Sequence, residues 1–348
     1  MSDKISLQIG DRRIEKFVRY RIEADLYTAD DAFSLEFGDP GVEIDPGQLC
    51  RLYVNGRLEL TGIIDRVEEG TDRSGNTLLV EGRDLMGLLV DSYVEEFPDL
   101  QDITLKALAE QLLKKVPFIN RKEIAYQTGI AGAEAGQTGG NDLLGIAHDH
   151  AKVEPGQTIF EVLKEYARSR GAMFFALPDG TLVFGRPKAK GKPLFAVVMR
   201  LDGAGNNALS GRRIRDISRR FSKIVILGSR QGTDQLDAGN INVAAEVTDS
   251  DVPFHKPLVK CSSNDGQSPV QEARMLLEQQ RAQGFQLVYR MARHSQNGRN
   301  YTINELCQVS DERRRISGIY LIYGRVFELS KDDGPTTELR LGLPGAIA

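Results

Sequence analysis

Four histidines and three cysteines are the side chains most suited to metal or nucleophilic chemistry in this 348-residue chain. In His148-Asp149-His150 the imidazoles are two residues apart, a spacing that turns both to one face of a strand and could begin a metal site. Neither a cysteine nor another histidine lies close by, so a solvated loop is the better reading. The other histidines are His255 and His294. Cys50, Cys261 and Cys307 are too few and too scattered for a disulfide scaffold, and they suit a reduced, cytoplasmic folding environment.

No GxSxG elbow, HExxH helix or CxxC pair occurs. The glycines of 129–140 do not form a phosphate loop, because no Lys-Ser/Thr follows them and no β-run leads into them. Carboxylates are abundant, but sequence does not report the separation a glycosidase pair needs. An enzyme is therefore not expected, and no metal or cofactor is.

One concentrated basic stretch stands out, carrying Arg212, Arg213, Arg215, Arg219, Arg220 and Lys223 against Asp216 alone. It could contact a nucleic-acid backbone. No aromatic platform accompanies it and the whole chain has a formal net charge of -4. A solvated face or a salt-bridged subunit boundary is the preferred reading, which makes these six residues candidate interface positions. Arg313-Arg314-Arg315 reads the same way.

The elements that carry these residues are mostly strands. Gly supplies 35 residues and aromatics only 7% of the chain, the texture of many turns. Hydrophobic residues make up 41%, enough for two to four domains at this length. The start MSDKISLQIGD lacks the apolar core of a signal peptide, and no apolar run approaches membrane-spanning length, so neither secretion by the usual route nor membrane insertion is expected.

Residues 1–90 read as six or so short antiparallel strands, with Asn55-Gly56 as the strongest hairpin signal. Such a set suggests a small barrel, which would also remove exposed edges. Residues 91–200 form a helix-and-hairpin α/β domain. Leu105, Leu108, Ala109 and Leu112 recur at helical spacing, and Thr158-Ile-Phe-Glu161 is a capping box. Within this domain, 128–140 reads as a mobile loop. Strand texture returns over 201–245, an α/β segment spans 246–299 with Ser268 as cap and Pro269 opening a helix, and 300–348 is again β.

An internal echo joins the two ends. Leu49-Cys50 leads to Gly62 and then to Thr77–Gly82, while Leu306-Cys307 leads to Gly318 and then to Thr337–Gly342. Cys50 precedes Gly62 by 12 residues and Cys307 precedes Gly318 by 11. The fold expected is mainly β with α+β insertions: two similar tube-type β-barrels, 1–90 and 201–245 plus 300–348, with smaller α/β modules. Cys50 and Cys307 should match in position as buried fillers, as should Gly62 and Gly318.

Three stretches carry a family resemblance: PGQTIFEVLKEYARSRGAMFFALPDGTLVFGRP, VQEARMLLEQQRAQGFQLVYRMARHSQ, and NELCQVSDERRRISGIYLIYGRVFELSKDDGPTTELRLGLP. With them the chain resembles, over nearly its whole length, the baseplate hub or 43-kDa-type tail protein of Mu-like contractile-tailed phages and prophages. The resemblance implies a structural, non-catalytic hub: a homotrimer joining the sixfold tail tube protein ring to the trimeric spike protein. Baseplate wedge proteins would surround it, and phage DNA would pass through its central channel. It implies a virion location in the tail baseplate after assembly in the host cytoplasm. A hub of a bacterial contractile injection or secretion system is the nearest alternative, and a carbohydrate-active or nucleic-acid-binding protein a more distant one.

Overall fold

In the computed structural model, residues 3–38, 41, 43–73, 75–96, 103–127, 153–169, 171–229, 242–262 and 269–347 are described. His148, His150, the loop 128–140 and the cap Ser268 lie outside them.

The first 84 residues fold as strands β1 (Ile5–Ile9), β2 (Arg12–Ile14), β3 (Arg19–Asp25), β4 (Ala32–Phe37), β5 (Leu49–Val54), β6 (Arg57–Asp72) and β7 (Gly75–Asp84). Their alternation is the cause. Along β3 and β4 every second side chain is buried, including Tyr20, Ile22, Phe33, Leu35 and Phe37. The β5–β6 turn falls at Asn55-Gly56, whose φ values of +52° and +76° are those a two-residue hairpin turn demands.

The middle of the chain supplies α1 (Met86–Asp91), α2 (Leu105–Leu112), β8 (Ala125–Tyr126), α3 (Ile159–Ser169), β9 (Met173–Ala176) and β10 (Leu182–Gly185). Local chemistry sets both longer helices. The Thr104 hydroxyl accepts from Ala107 N–H at 3.2 Å and caps α2. At the start of α3, Thr158 Oγ1 accepts from Glu161 N–H at 3.2 Å, and the Glu161 carboxylate accepts from Thr158 N–H at 2.9 Å. Leu105, Leu108, Phe160, Leu163 and Ala167 then pack with Phe174 and Phe184 of the β9–β10 hairpin as a core of their own.

The last part holds β11 (Phe195–Met199), β12 (Ala208–Arg215), β13 (Lys223–Ser229), β14 (Asn242–Thr248), β15 (Pro257–Cys261) and α4 (Pro269–Gln283). Then follow β16 (Phe285–Ala292), β17 (Ser295–Gln296), β18 (Arg299–Asn300), β19 (Glu305–Asp311), β20 (Ile316–Ser330) and β21 (Gly334–Gly342). Strands β14-β13-β15 make a small separate sheet against which α4 packs.

The expectation of two closed barrels is overturned. Strands from both ends of the chain lie in one 13-stranded sheet that does not close, with the order β12-β16-β21-β20-β3-β4-β7-β6-β5-β1-β2 and β19 and β11 branching beside β20. The reason is one join. Strand β3 pairs antiparallel with β20 from Gly324↔Asp25 to Leu329↔Tyr20, so the two halves meet edge to edge instead of each curling onto itself. One hydrophobic core accordingly runs across both, from Leu7 and Ile22 to Phe327 and Leu341. The mainly β character with α+β insertions stands.

The halves share one strand order. β1-β5-β6-β7-β4-β3 in the first corresponds to β11-β19-β20-β21-β16-β12 in the second. They differ in one pairing sense, β1–β5 being antiparallel and β11–β19 parallel. Both long hairpins carry a bulge at the same place, between Ile64 and Arg66 in β6 and between Ile322 and Gly324 in β20.

Candidate assembly interface

Counting from those bulges places the echoed residues. Cys50 faces Gly62 across β5–β6, and Cys307 faces Tyr320 across β19–β20, so the two cysteines hold the same position. Gly318 faces Val309 and falls two residues before the counterpart of Gly62. A Cβ on Gly62 would lie 2.0 Å from the Arg83 carbonyl oxygen, so close backbone approach requires glycine there. A Cβ on Gly318 meets nothing nearer than the Tyr320 ring at 3.4 Å. Cys50 and Cys307 are buried, and burial pushes each thiol up to about 12, which keeps it protonated.

The basic stretch divides into two groups. Arg212, Arg213 and Arg215 stand exposed on β12, the terminal strand of the large sheet, with Arg219 exposed just beyond it. Lys223 instead opens β13 of the small sheet, and Arg220 lies in the segment just before it. Arg220 bonds Asp249 at 2.7 Å and Asp251 at 2.9 Å, and Arg281 of α4 reaches the other oxygen of Asp249 at 2.9 Å. These contacts hold the buried Asp249 carboxyl below its ordinary range despite the opposing effect of burial. Lys223 pairs with Glu246 at 2.5 Å. Sequence proximity therefore grouped six cations that the fold separates into an edge set and a neutralised set.

Two buried polar groups escaped the sequence reading. Arg325 on β20 forms an ion pair with Glu59 on β6, both nearly solvent-free, tying the halves together. Asn300 Nδ2 donates to Glu59 at 2.6 Å, Arg325 donates to the Tyr301 carbonyl at 2.9 Å, and its guanidinium lies 4.0 Å from the Phe327 ring centroid. The second group is His294, which is fully buried. Its Nδ1 is 3.0 Å from Thr337 Oγ1, whose hydroxyl donates to the Arg293 carbonyl at 2.6 Å. That leaves Nδ1 as the donor and Nε2 to accept from the Tyr20 hydroxyl at 2.6 Å. The partners lie 266 and 274 residues apart, beyond any local signal.

Two similar half-sheets, joined at one edge, define a mainly β protein with α+β insertions. Among the described residues no group of three or more His, Cys, Asp or Glu could hold a metal ion, and no helix is long and apolar enough to cross a membrane. Comparison with known proteins narrows the class. Residues 4–84 match the family described as Mu phage baseplate assembly protein GpP-like, N-terminal. The chain is 23% identical over 291 residues to baseplate hub protein gp44 of Escherichia phage Mu, covering 81% of this chain and 71% of that protein. The tail protein from Neisseria meningitidis MC58 superposes with a TM-score of 0.85 at 25% identity, covering 99% and 98% of the two chains. The 43 kDa tail protein of prophage MuSo2 from Shewanella oneidensis superposes with a TM-score of 0.79 at 23% identity, over the whole of both chains. Over nearly its whole length the chain is similar to Mu-like phage baseplate hub and tail proteins. These relatives are named as baseplate hub or tail proteins.

Proposed function

We propose that three copies of this chain close into the hub ring of a contractile-tail baseplate. The ring joins a sixfold tail tube to a threefold spike within the surrounding wedge proteins, and phage DNA crosses its channel. The observation that carries this reading is the doubled half-sheet: three copies present six similar strand sets to a sixfold neighbour while remaining threefold toward the other. Exposed arginines lining a channel would grip the DNA backbone, so Arg212, Arg213, Arg215 and Arg219 serve the ring better at subunit boundaries than in the lumen.

Sedimentation equilibrium tests the ring directly. The expected mass is three times the 38.5 kDa of the chain. Co-sedimentation with the cognate tube and spike proteins tests the adaptor role. A chain that remains monomeric at every attainable concentration would refute the reading.

A further inference from the structure

The in-chain join between β3 and β20 leaves its two structural counterparts unmatched. The counterpart of β3 is β12, the last strand of the sheet, and among the described residues nothing pairs with its outer edge. The counterpart of the β20 segment that receives β3 is the part of β6 beyond its bulge, from Arg66 onward. There β6 pairs with β7 on one side only, because β5 pairs no further than Leu49↔Ile63 and the chain before it reaches only Ile64. Among the described residues the repeat thus leaves one unmatched edge on each half, and the two are of unlike kind. Such a pair is heterologous and propagates head to tail.

We infer that β12 of one copy pairs antiparallel with β6 of the next, repeating between chains the join that β3 and β20 make within one. This rests on the ring reading above and specifies its contact. The register follows from the shared bulges. Ile22 lies opposite Phe33, which lies opposite Gly82, which lies opposite Ile64. In the second half Arg213 lies opposite Leu287, which lies opposite Leu341, which lies opposite Ile322. Arg213 is therefore the counterpart of Ile22, and Glu69 that of Phe327. Because Ile22 faces Phe327, Arg213 faces Glu69 of the next copy. The same count sets Arg215 against Val67, Ile214 against Glu68, Arg212 against Gly70 and Asp216 against Arg66.

That register is electrostatically matched although charge played no part in deriving it. Arg213 meets Glu69 and Asp216 meets Arg66 directly, while Arg212 lies diagonal to Glu68 on the other face. Glu69, Arg212 and Arg215 form no ion pair within the chain among the described residues. The backbone agrees as well. Asp216 N–H donates to the Gly284 carbonyl beside β16, so alternation turns the N–H and C=O of Arg213 and Arg215 outward. At Gly211 the outward carbonyl is already taken by the Arg314 guanidinium, which ends the available edge at Arg212. Edge strands left open in this way are hazards unless a partner is meant to cover them.

Cysteine cross-linking tests both partner and register. In a Cys261→Ser background, Arg213→Cys with Glu69→Cys in one chain places the two thiols on facing strands of neighbouring copies, within disulfide reach. Mild oxidation should yield covalent dimers and trimers on non-reducing gels. Arg213→Cys with Glu68→Cys, which points to the opposite face, should yield none. Separately, Arg213→Glu should cause loss of the trimer in sedimentation, and adding Glu69→Arg should restore it. A trimer that gives no Arg213→Cys/Glu69→Cys cross-link overturns the pairing and leaves the ring intact. A chain that is monomeric throughout overturns the ring reading and this contact with it.

Discussion

Removing the carboxylate of Glu59 probes what holds the two half-sheets in one body. Glu59 and Arg325 retain only 7% and 2% of their accessible surface, and the pair bridges β6 to β20. Glu59→Ala strands a buried guanidinium, a loss that typically costs about 3–5 kcal/mol. Arg325 keeps its bond to the Tyr301 carbonyl and its seat over Phe327, which argues for the lower end, about 3 kcal/mol. The Asn300 amide loses one acceptor but keeps the Val54 carbonyl at 2.7 Å, so it adds little. Glu59→Leu with Arg325→Met removes both charges at similar volume, and should fall within about 1 kcal/mol of the parent chain. Urea unfolding at one matched chain concentration reads the parent chain, Glu59→Ala, the double variant and its two singles, because association shifts apparent stability by mass action. A Glu59→Ala cost below about 1 kcal/mol, or a double variant as unstable as the sum of its singles, would refute the reasoning.

Burial lowers the His294 pKa from 6.5 to about 4, against an opposing pull from Asp3. The unfolded chain then takes up a proton that the folded one refuses, so His294 withdraws stability as pH falls from about 6.5 to about 4, by up to roughly 3 kcal/mol. An imidazole NMR titration midpoint near 6.5 would contradict this. Gly62→Ala should cost about 2–4 kcal/mol in thermal unfolding, because its Cβ meets the Arg83 backbone, whereas Gly318→Ala should cost less than about 1 kcal/mol. Equal costs would count against the close approach at β6–β7. In a thiol-reagent assay on the native chain, the exposed Cys261 should react while Cys50 and Cys307 stay protected until unfolding. Rapid modification of all three would show that the cysteine positions are open.

What the sequence determined by itself was local. Asn55-Gly56 closes its hairpin and Thr158-Glu161 its capping box because each needs only residues within a few positions of itself. The Leu49-Cys50 and Leu306-Cys307 echo marked the repeat for the same reason: each hairpin writes its alternation into a contiguous stretch. The tertiary structure decided everything that depended on which edge meets which. Alternation records that a strand has a buried face, but its edge carries only backbone N–H and C=O groups, alike in every residue. The sequence reading therefore closed each half into a barrel, whereas β3 meets β20 and leaves one open sheet. The same limit hid the Glu59–Arg325 pair and split the basic stretch, since its arginines differ only in the strand beside them: Asp249 neutralises Arg220, while Arg213 stands on an open edge.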